Sequence, residues 1–309
     1  MPSRTAASPR TMTRHRPTLL IVGCGDVGLR VLKHLGPGWR VLALTSQPAR
    51  RAELRAAGAV PLVGDLDRPA TLGRLATLAD AVLHLAPPAS EGARDMRSRQ
   101  LLQALARGAR VRRLVYASTT GVYGDAGGAR VDETWPPRPA TARARRRADA
   151  EALWRWAGRR GGMTVTILRV PGIYAADRAG GDPRDRVRRA SPVLVPADDV
   201  FTNHIHADDL ARACIAALHR GAPQRIVNVC DDTELKMGEY FDLVADLHGL
   251  PRPPRLTRDE ARRQLSPMTL SFMGESRRLS NRRMKRELRL RLRHPTLREG
   301  LPPPRPAAR

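Results

Sequence analysis

A doubly wound α/β fold, with helices on both faces of a parallel sheet and a smaller C-terminal substrate lobe, is predicted by three observations. Short aliphatic runs alternate with helical patterns through the first half of the chain. The runs are continuously apolar, as strands covered on both faces should be. A glycine-rich turn follows the first run directly and opens the first helical pattern.

Taken in order, the strands are expected at residues 18–22, 40–44, 60–63, 81–85, 113–117 and 164–169. Helices are expected between them at 27–35, 50–57, 70–75, 95–107 and 141–159. A later run at 226–229 could extend the same sheet. Beyond Pro171 the pattern becomes irregular: 180–192 is polar and Arg-rich and reads as a mobile loop. Residues 207–218 form a clear helix with Asp208 and Asp209 in its first turn, where carboxylates meet the positive dipole end. Residues 240–248 read as another helix, ended by Gly249 and Pro251, and 251–255 as a Pro-rich linker. The expected organisation is a tail at 1–16, a dinucleotide-binding domain at 17–170, a C-terminal lobe with returning sheet elements at 171–301, and a frayed tail at 302–309. The acid-free leader lacks the apolar stripe of a presequence, so it reads as a tail.

Composition narrows the function classes. The chain has 309 residues, 41% of them hydrophobic and only 4% aromatic, so aliphatic side chains must do most of the packing. No apolar run approaches a membrane span, and no membrane partner is expected. The net charge of +25 invites a nucleic-acid reading, but lysine occurs only at Lys33, Lys236 and Lys285. Arginine spread along an Ala-, Gly- and Pro-rich chain is what a GC-rich coding bias produces, and stacking aromatics are missing; nucleic acid is set aside. Cys24, Cys214 and Cys230 are too scattered for a disulfide framework or a zinc site. No metal is expected, and a reducing cytoplasm fits.

The turn Gly23-Cys24-Gly25-Asp26-Val27-Gly28 carries a specific physics. The first Gly permits a tight turn, the second lets the backbone approach a pyrophosphate, and the third allows close helix–strand packing. The helix N-terminus then offers free N–H groups to the diphosphate. Asp26 is odd beside a phosphate and reads best as a helix cap. A carboxylate should close the second strand if a ribose 2′-hydroxyl is to be gripped, yet no acid occurs between Asp26 and Glu53. Thr45 and Ser46 stand there, followed by Arg50 and Arg51, a set suited to a 2′-phosphate. NADP is therefore favoured over NAD, unless these arginines are simply solvated helix residues.

These segments, with Gly64-Asp65-Leu66, His84-Leu85-Ala86-Pro87, Ala117-Ser118-Thr119-Thr120-Gly121-Val122-Tyr123-Gly124, Leu168-Arg169-Val170-Pro171-Gly172-Ile173-Tyr174, Asn203-His204-Ile205-His206-Ala207-Asp208-Asp209 and Asn228-Val229, resemble the short-chain dehydrogenase/reductase superfamily. The likeness is to its extended or atypical branch, the NAD-dependent epimerase/dehydratase-like proteins, and covers about residues 18 to 300. The resemblance implies that Asp65 and Leu66 lie beside the adenine, Ala86 and Pro87 beside the adenosine ribose, and Pro171 and Gly172 near the nicotinamide amide. It places Thr119 where the family has its catalytic Ser or Thr. A strand-end turn hydroxyl is the plainer reading of Thr119.

The family's Tyr and Lys, four residues apart on the fifth helix, are missing. The four tyrosines are followed at that spacing by Thr120, Gly127, Arg178 and Val244. Registering Ala150-Glu151 on the family's helix puts Arg143 at the Tyr position and Arg147 at the Lys position. Arg147 can supply the ribose contact and local charge; Arg143 cannot supply the proton, because guanidinium keeps its own. Tyr123, a water held by Arg143, or His204 or His206 are the remaining proton sources. The function expected is an NAD(P)-binding oxidoreductase or epimerase acting on a small, anionic substrate, with Arg143, Arg178 and the arginines from 184 to 189 forming a positive mouth. The alternative is an inactive NADP(H)-binding sensor or scaffold. A homodimer is the open expectation for assembly.

Overall fold

The structure is a computed structural model that describes residues 16–303. The two predicted tails therefore lie outside the described residues but for their inner edges.

Seven parallel strands form the central sheet: β1 (Thr18–Val22), β2 (Arg40–Thr45), β3 (Val60–Val63), β4 (Ala81–His84), β5 (Arg113–Thr119), β7 (Thr164–Val170) and β12 (Arg225–Asn228). Their order is β12-β7-β5-β4-β1-β2-β3, so the chain reverses its direction of travel between β1 and β4. That crevice, at the carboxyl ends of the strands, is where such sheets receive ligands. β1 and β4 are buried along their whole length, which is why their sequences are uninterrupted apolar runs. The predicted return of a late strand is realised by β12, which pairs with β7 from Arg225↔Thr166 to Asn228↔Arg169.

Helices α1 (Asp26–His34), α2 (Arg51–Ala56), α3 (Met96–Ala106) and α4 (Ala142–Gly161) lie between the strands, and α6 (Ala207–Arg220) packs against α1. One face of the sheet buries Val31, Leu54, Leu210 and Cys214, and the other Leu101, Leu105, Ala150 and Trp154. Thr141 caps α4 by accepting the Ala144 N–H, and Gly162 ends it in the left-handed conformation. The buried face of α4 runs through Ala144, Ala150, Glu151, Trp154 and Ala157, and this register turns Arg143 and Arg147 towards the ends of the strands.

A second core belongs to the C-terminal lobe. It gathers Tyr174, Val187, Val193, Val200, Tyr240, Phe241, Val244 and Leu297. The lobe is laced by short pairings: β6 (Arg130–Val131) with Arg278–Leu279, β8 (Gly172–Tyr174) with β11 (His204–His206), β9 (Val193–Leu194) with Arg255–Leu256, and β10 (Phe201–Thr202) with Leu235–Lys236.

Four local expectations need correction. Residues 180–192 are not a featureless loop, because α5 (Pro183–Arg188) forms there, capped by Asp182 with Pro at its first position. The segment expected as a helix at 70–75 is a 3₁₀ helix, Pro69–Thr77. The 251–255 linker ends in a strand, Arg255–Leu256, which is tied to β9. Asp26 is not a cap: Gly25 occupies the cap position, and the Asp26 carboxylate makes no capping bond.

Candidate functional site

A cavity of about 630 Å³ opens at the carboxyl ends of β1, β4, β5 and β7, between the sheet and the C-terminal lobe. Gly23, Gly25, Asp26 and Val27 form one end of it. The three glycines divide the labour as their order suggests. Gly23 has φ +83°, and a Cβ there would stand 2.5 Å from the Ala86 nitrogen. Gly28 is packed behind the loop against Cys24 and Ile21. Gly25 alone faces open space, with nothing within 4 Å of where its Cβ would be. That opening, in front of the first turn of α1, is the shape a diphosphate requires.

Thr119, Arg143, Arg147, Pro87, Pro171 and Gly172 border the same cavity. Arg147 is fastened to the end of β5, its Nη1 donating to the Ala117 carbonyl at 2.6 Å and the Tyr116 hydroxyl at 3.1 Å. Thr119 is half-buried, and its Oγ1 accepts the Gly121 N–H at 3.2 Å. It thus serves the turn and faces the cavity at once. The guanidinium of Arg143 stacks on Phe272, 4.8 Å from the ring centre.

Other expected residues lie outside the cavity. Thr45, Ser46, Asp65 and Leu66 stand near the ends of β2 and β3, and Ala86 backs the Gly23 turn. Thr45 uses its hydroxyl to hold the Gln47 N–H, and Asp65 takes part in a turn closed by Thr71. Arg50 reaches the glycine loop, donating to the Cys24 carbonyl at 2.8 Å, while its other nitrogens pair with Glu53.

Tyr123 is a correction. It is fully buried and its hydroxyl donates to Asn228 Oδ1 at 2.7 Å. Burial raises its pKa, and it does not border the cavity, so it is no proton donor to a ligand there. His206 is also committed, its Nδ1 accepting the Asp208 N–H at the start of α6. It lies with Asp208 and His294 in a cluster of metal-binding residue types. The Nδ1 bond leaves the proton on Nε2, and Arg30 already holds Asp208, so this cluster is spoken for. His204 does border the cavity, stacked on Tyr240 at 3.9 Å, with burial pushing its pKa down to about 3.

The far wall, built by Phe201, Met237, Phe241, Phe272, Glu275 and Arg277, had no part in the sequence reading. These residues come from three separate stretches of the lobe, and no local pattern joins them.

Comparison with known proteins agrees with this fold. Residues 19–230 match the family described as NAD dependent epimerase/dehydratase family. A 4-hydroxy-2-methyl-3-oxo-4-farnesyl-3,4-dihydroquinoline-1-oxide ketoreductase of Stigmatella aurantiaca is 26% identical over 246 residues, 75% of this chain and 73% of that one. Protein YeeZ of Escherichia coli (strain K12) is 30% identical over 178 residues, 57% of this chain and 61% of its own length. Among solved structures, a functionally unknown conserved protein from Silicibacter pomeroyi DSS superposes with a TM-score of 0.76 at 33% identity, covering 92% of this chain and 96% of that one. A UDP-glucose 4-epimerase of Thermotoga maritima, solved with UDP-glucose, shares the fold at a TM-score of 0.74 and 21% identity, covering 92% and 96% of the two chains. This chain belongs to the NAD dependent epimerase/dehydratase family.

Proposed function

We propose that this chain binds a nicotinamide dinucleotide, NADP in preference to NAD, and acts as an oxidoreductase or epimerase of short-chain dehydrogenase type on a small anionic substrate. One observation carries the reading: the open space before Gly25 belongs to the same cavity as Thr119 and Arg147. The residues fit the cofactor, since a Cβ at Gly25 would intrude where the diphosphate is to lie. The ketoreductase name of the Stigmatella relative points the same way.

When bound, the nicotinamide supplies or accepts hydride. Thr119 would hydrogen-bond the reacting oxygen of the substrate, and Arg147, fixed to β5, would hold positive charge beside the nicotinamide ribose. Among the described residues no tyrosine borders the cavity, so the proton would come from a water oriented by Arg143. Beyond the ion pairs Arg178–Asp26 and Arg277–Glu275, Arg143 and Arg186 face the cavity, a surplus that favours an anionic substrate. The preference for NADP rests on the missing carboxylate after β2 and on Arg50 at the glycine loop, where a 2′-phosphate would exchange with Glu53. The buried, unpaired cysteines suit a reducing cytoplasm.

Calorimetric titration with NADP and NAD tests the binding step. Tighter NADP binding is expected; equal or tighter NAD removes the 2′-phosphate argument, and no binding of either removes the whole reading. Turnover is tested with a panel of carbonyls, alcohols and nucleotide sugars. A second reading, a cofactor-loaded sensor without turnover, is favoured by one feature: Arg143 stands where the proton-donating tyrosine would be. It requires a partner whose affinity differs between oxidised and reduced cofactor.

A further inference from the structure

A carboxylate beside a diphosphate must have its charge met, and Asp26 has it met from another part of the molecule. Asp26 opens α1 and lines the cavity. Its Oδ2 accepts a hydrogen bond from Nη1 of Arg178 at 2.5 Å, and its two oxygens lie 3.2 and 3.3 Å from Nε of Arg30, one turn along the helix. Arg178 belongs to the loop that follows β8 in the C-terminal lobe.

That loop is built around the arginine. Arg178 N–H donates to the Ala175 carbonyl, Gly181 N–H to the Arg178 carbonyl, and Ala175 N–H to the Gly181 carbonyl. A Cβ at Gly181 would stand 2.4 Å from Cδ of Arg178, so glycine makes room for the side chain. The neighbouring Asp177 is tied to the same helix through Arg30 Nη2 at 2.5 Å, and Arg30 Nη1 holds Asp208 at 2.6 Å. The group thus sets three carboxylates, Asp26, Asp177 and Asp208, against two guanidinium ions, Arg30 and Arg178, a balance of one negative charge. Without Arg178 the balance is two negative charges, at the end of the cavity that has to receive an anion.

We infer that Arg178 is a cofactor-binding residue, which neutralises Asp26 and turns its remaining N–H donors to the diphosphate, so that the C-terminal lobe supplies one wall of the dinucleotide site. A guanidinium has several donors in a fixed fork, and only one of them is given to Asp26 here. This assignment rests on the dinucleotide reading above and adds the residue that lets an acidic glycine loop hold an anion.

The test is a fluorescence titration of the full chain with NADPH, at low and at high salt. Arg178→Gln is expected to weaken binding about tenfold or more, with the difference shrinking as salt rises, and Arg178→Lys to stay within about threefold of the parent. The double variant Asp26→Asn with Arg178→Gln is expected to recover part of the loss, because the charge that Arg178 meets is gone while its donors to the diphosphate are still missing. Unchanged binding by Arg178→Gln overturns the assignment. So does a deficit of Arg178→Gln that is the same at low and at high salt, which would make the arginine a tie for its loop and nothing more. If the parent chain binds no NADPH at all, the dinucleotide reading itself falls, a result distinct from either of these.

Discussion

Glu151 and Arg169 form a buried ion pair that joins α4 to β7, with Arg169 Nη2 donating to Glu151 Oε2 at 2.7 Å and Nε to Oε1 at 3.1 Å. Their side chains are only 6% and 2% exposed, and Ser118 on β5 donates to Glu151 Oε1 at 2.6 Å. One carboxylate thus pins the helix that carries Arg143 and Arg147 to the two strands that frame Thr119. Glu151→Ala would leave a buried guanidinium uncompensated, an expected loss of about 3–5 kcal/mol in unfolding free energy. Urea denaturation checks this. A change under about 1 kcal/mol would mean that water or another group takes over the pairing.

The first two glycines of the loop after β1 should separate stability from the proposed binding. Gly23→Ala is expected to destabilise the chain by about 1–3 kcal/mol, since it forces a positive φ on alanine and meets the Ala86 backbone. A Cβ at Gly25 has nothing within 4 Å, so Gly25→Val should leave the melting temperature nearly unchanged while abolishing dinucleotide binding. Thermal melts with and without NADPH give both readings; a Gly25→Val chain still stabilised by NADPH would place the diphosphate elsewhere.

Tyr123→Phe separates an interior tyrosine from a proton donor. The hydroxyl is buried on Asn228, so its removal should cost about 1–3 kcal/mol of stability by leaving that amide oxygen unsatisfied. Turnover, on any substrate found, should persist. Loss of kcat with stability intact would return Tyr123 to the catalytic machinery.

Buried histidines set the acid limit of the fold. Burial lowers the pKa of His84 to about 3, of His204 to about 3 and of His206 to about 4, from an ordinary 6.5. The unfolded chain takes up these protons first, so their contribution is complete above pH 6.5 and is lost as pH falls towards 4 and below. His204→Phe keeps the stack on Tyr240 and removes one such group; its acid unfolding midpoint should move to lower pH. A midpoint unchanged or raised contradicts the assignment.

Asp231 works in the opposite direction. It is buried, its Oδ2 has no hydrogen-bond partner among the described residues, and burial pushes its pKa up to about 8 from 3.8. The folded state therefore holds a proton that the unfolded chain has released, and stability from this group declines as pH rises from 3.8 to about 8. Asp231→Asn should raise the melting temperature at pH 9 and change it little near pH 4. Equal gains at both values would show a packing effect instead.

Much of the fold was legible because a strand covered on both faces has to be apolar throughout, as Leu19-Leu20-Ile21-Val22 and Ala81-Val82-Leu83 are. The glycine loop was legible for a similar reason, since few other residues accept the turn at Gly23. The α5 start was also written in the chain, as Asp182 followed by Pro183, but its polar arginines hid it. Tyr123 was misread because its partner Asn228 lies 105 residues away, and a hydroxyl close to Thr119 in sequence says nothing about which way it points. Phe272 and Arg277 were missed because they reach the cavity only through the packing of the lobe. Arg178 was read as part of a positive mouth, while its bond to Asp26 depends on a loop closure no local pattern shows.

The lobe and the sheet are sewn together more than once. The chain leaves the sheet after β7, returns with α6 and β12, leaves again for α7 (Met237–His248), comes back to bury Met284, Leu288 and Leu290 against the sheet, and ends with Leu297 and Leu301 in the lobe. A protease cut in any one of these crossings would leave two pieces still stitched by the others. Neither half is therefore a separable stretch of the chain: a truncation before β12 would strip the sheet of its edge strand and the lobe of much of its core together.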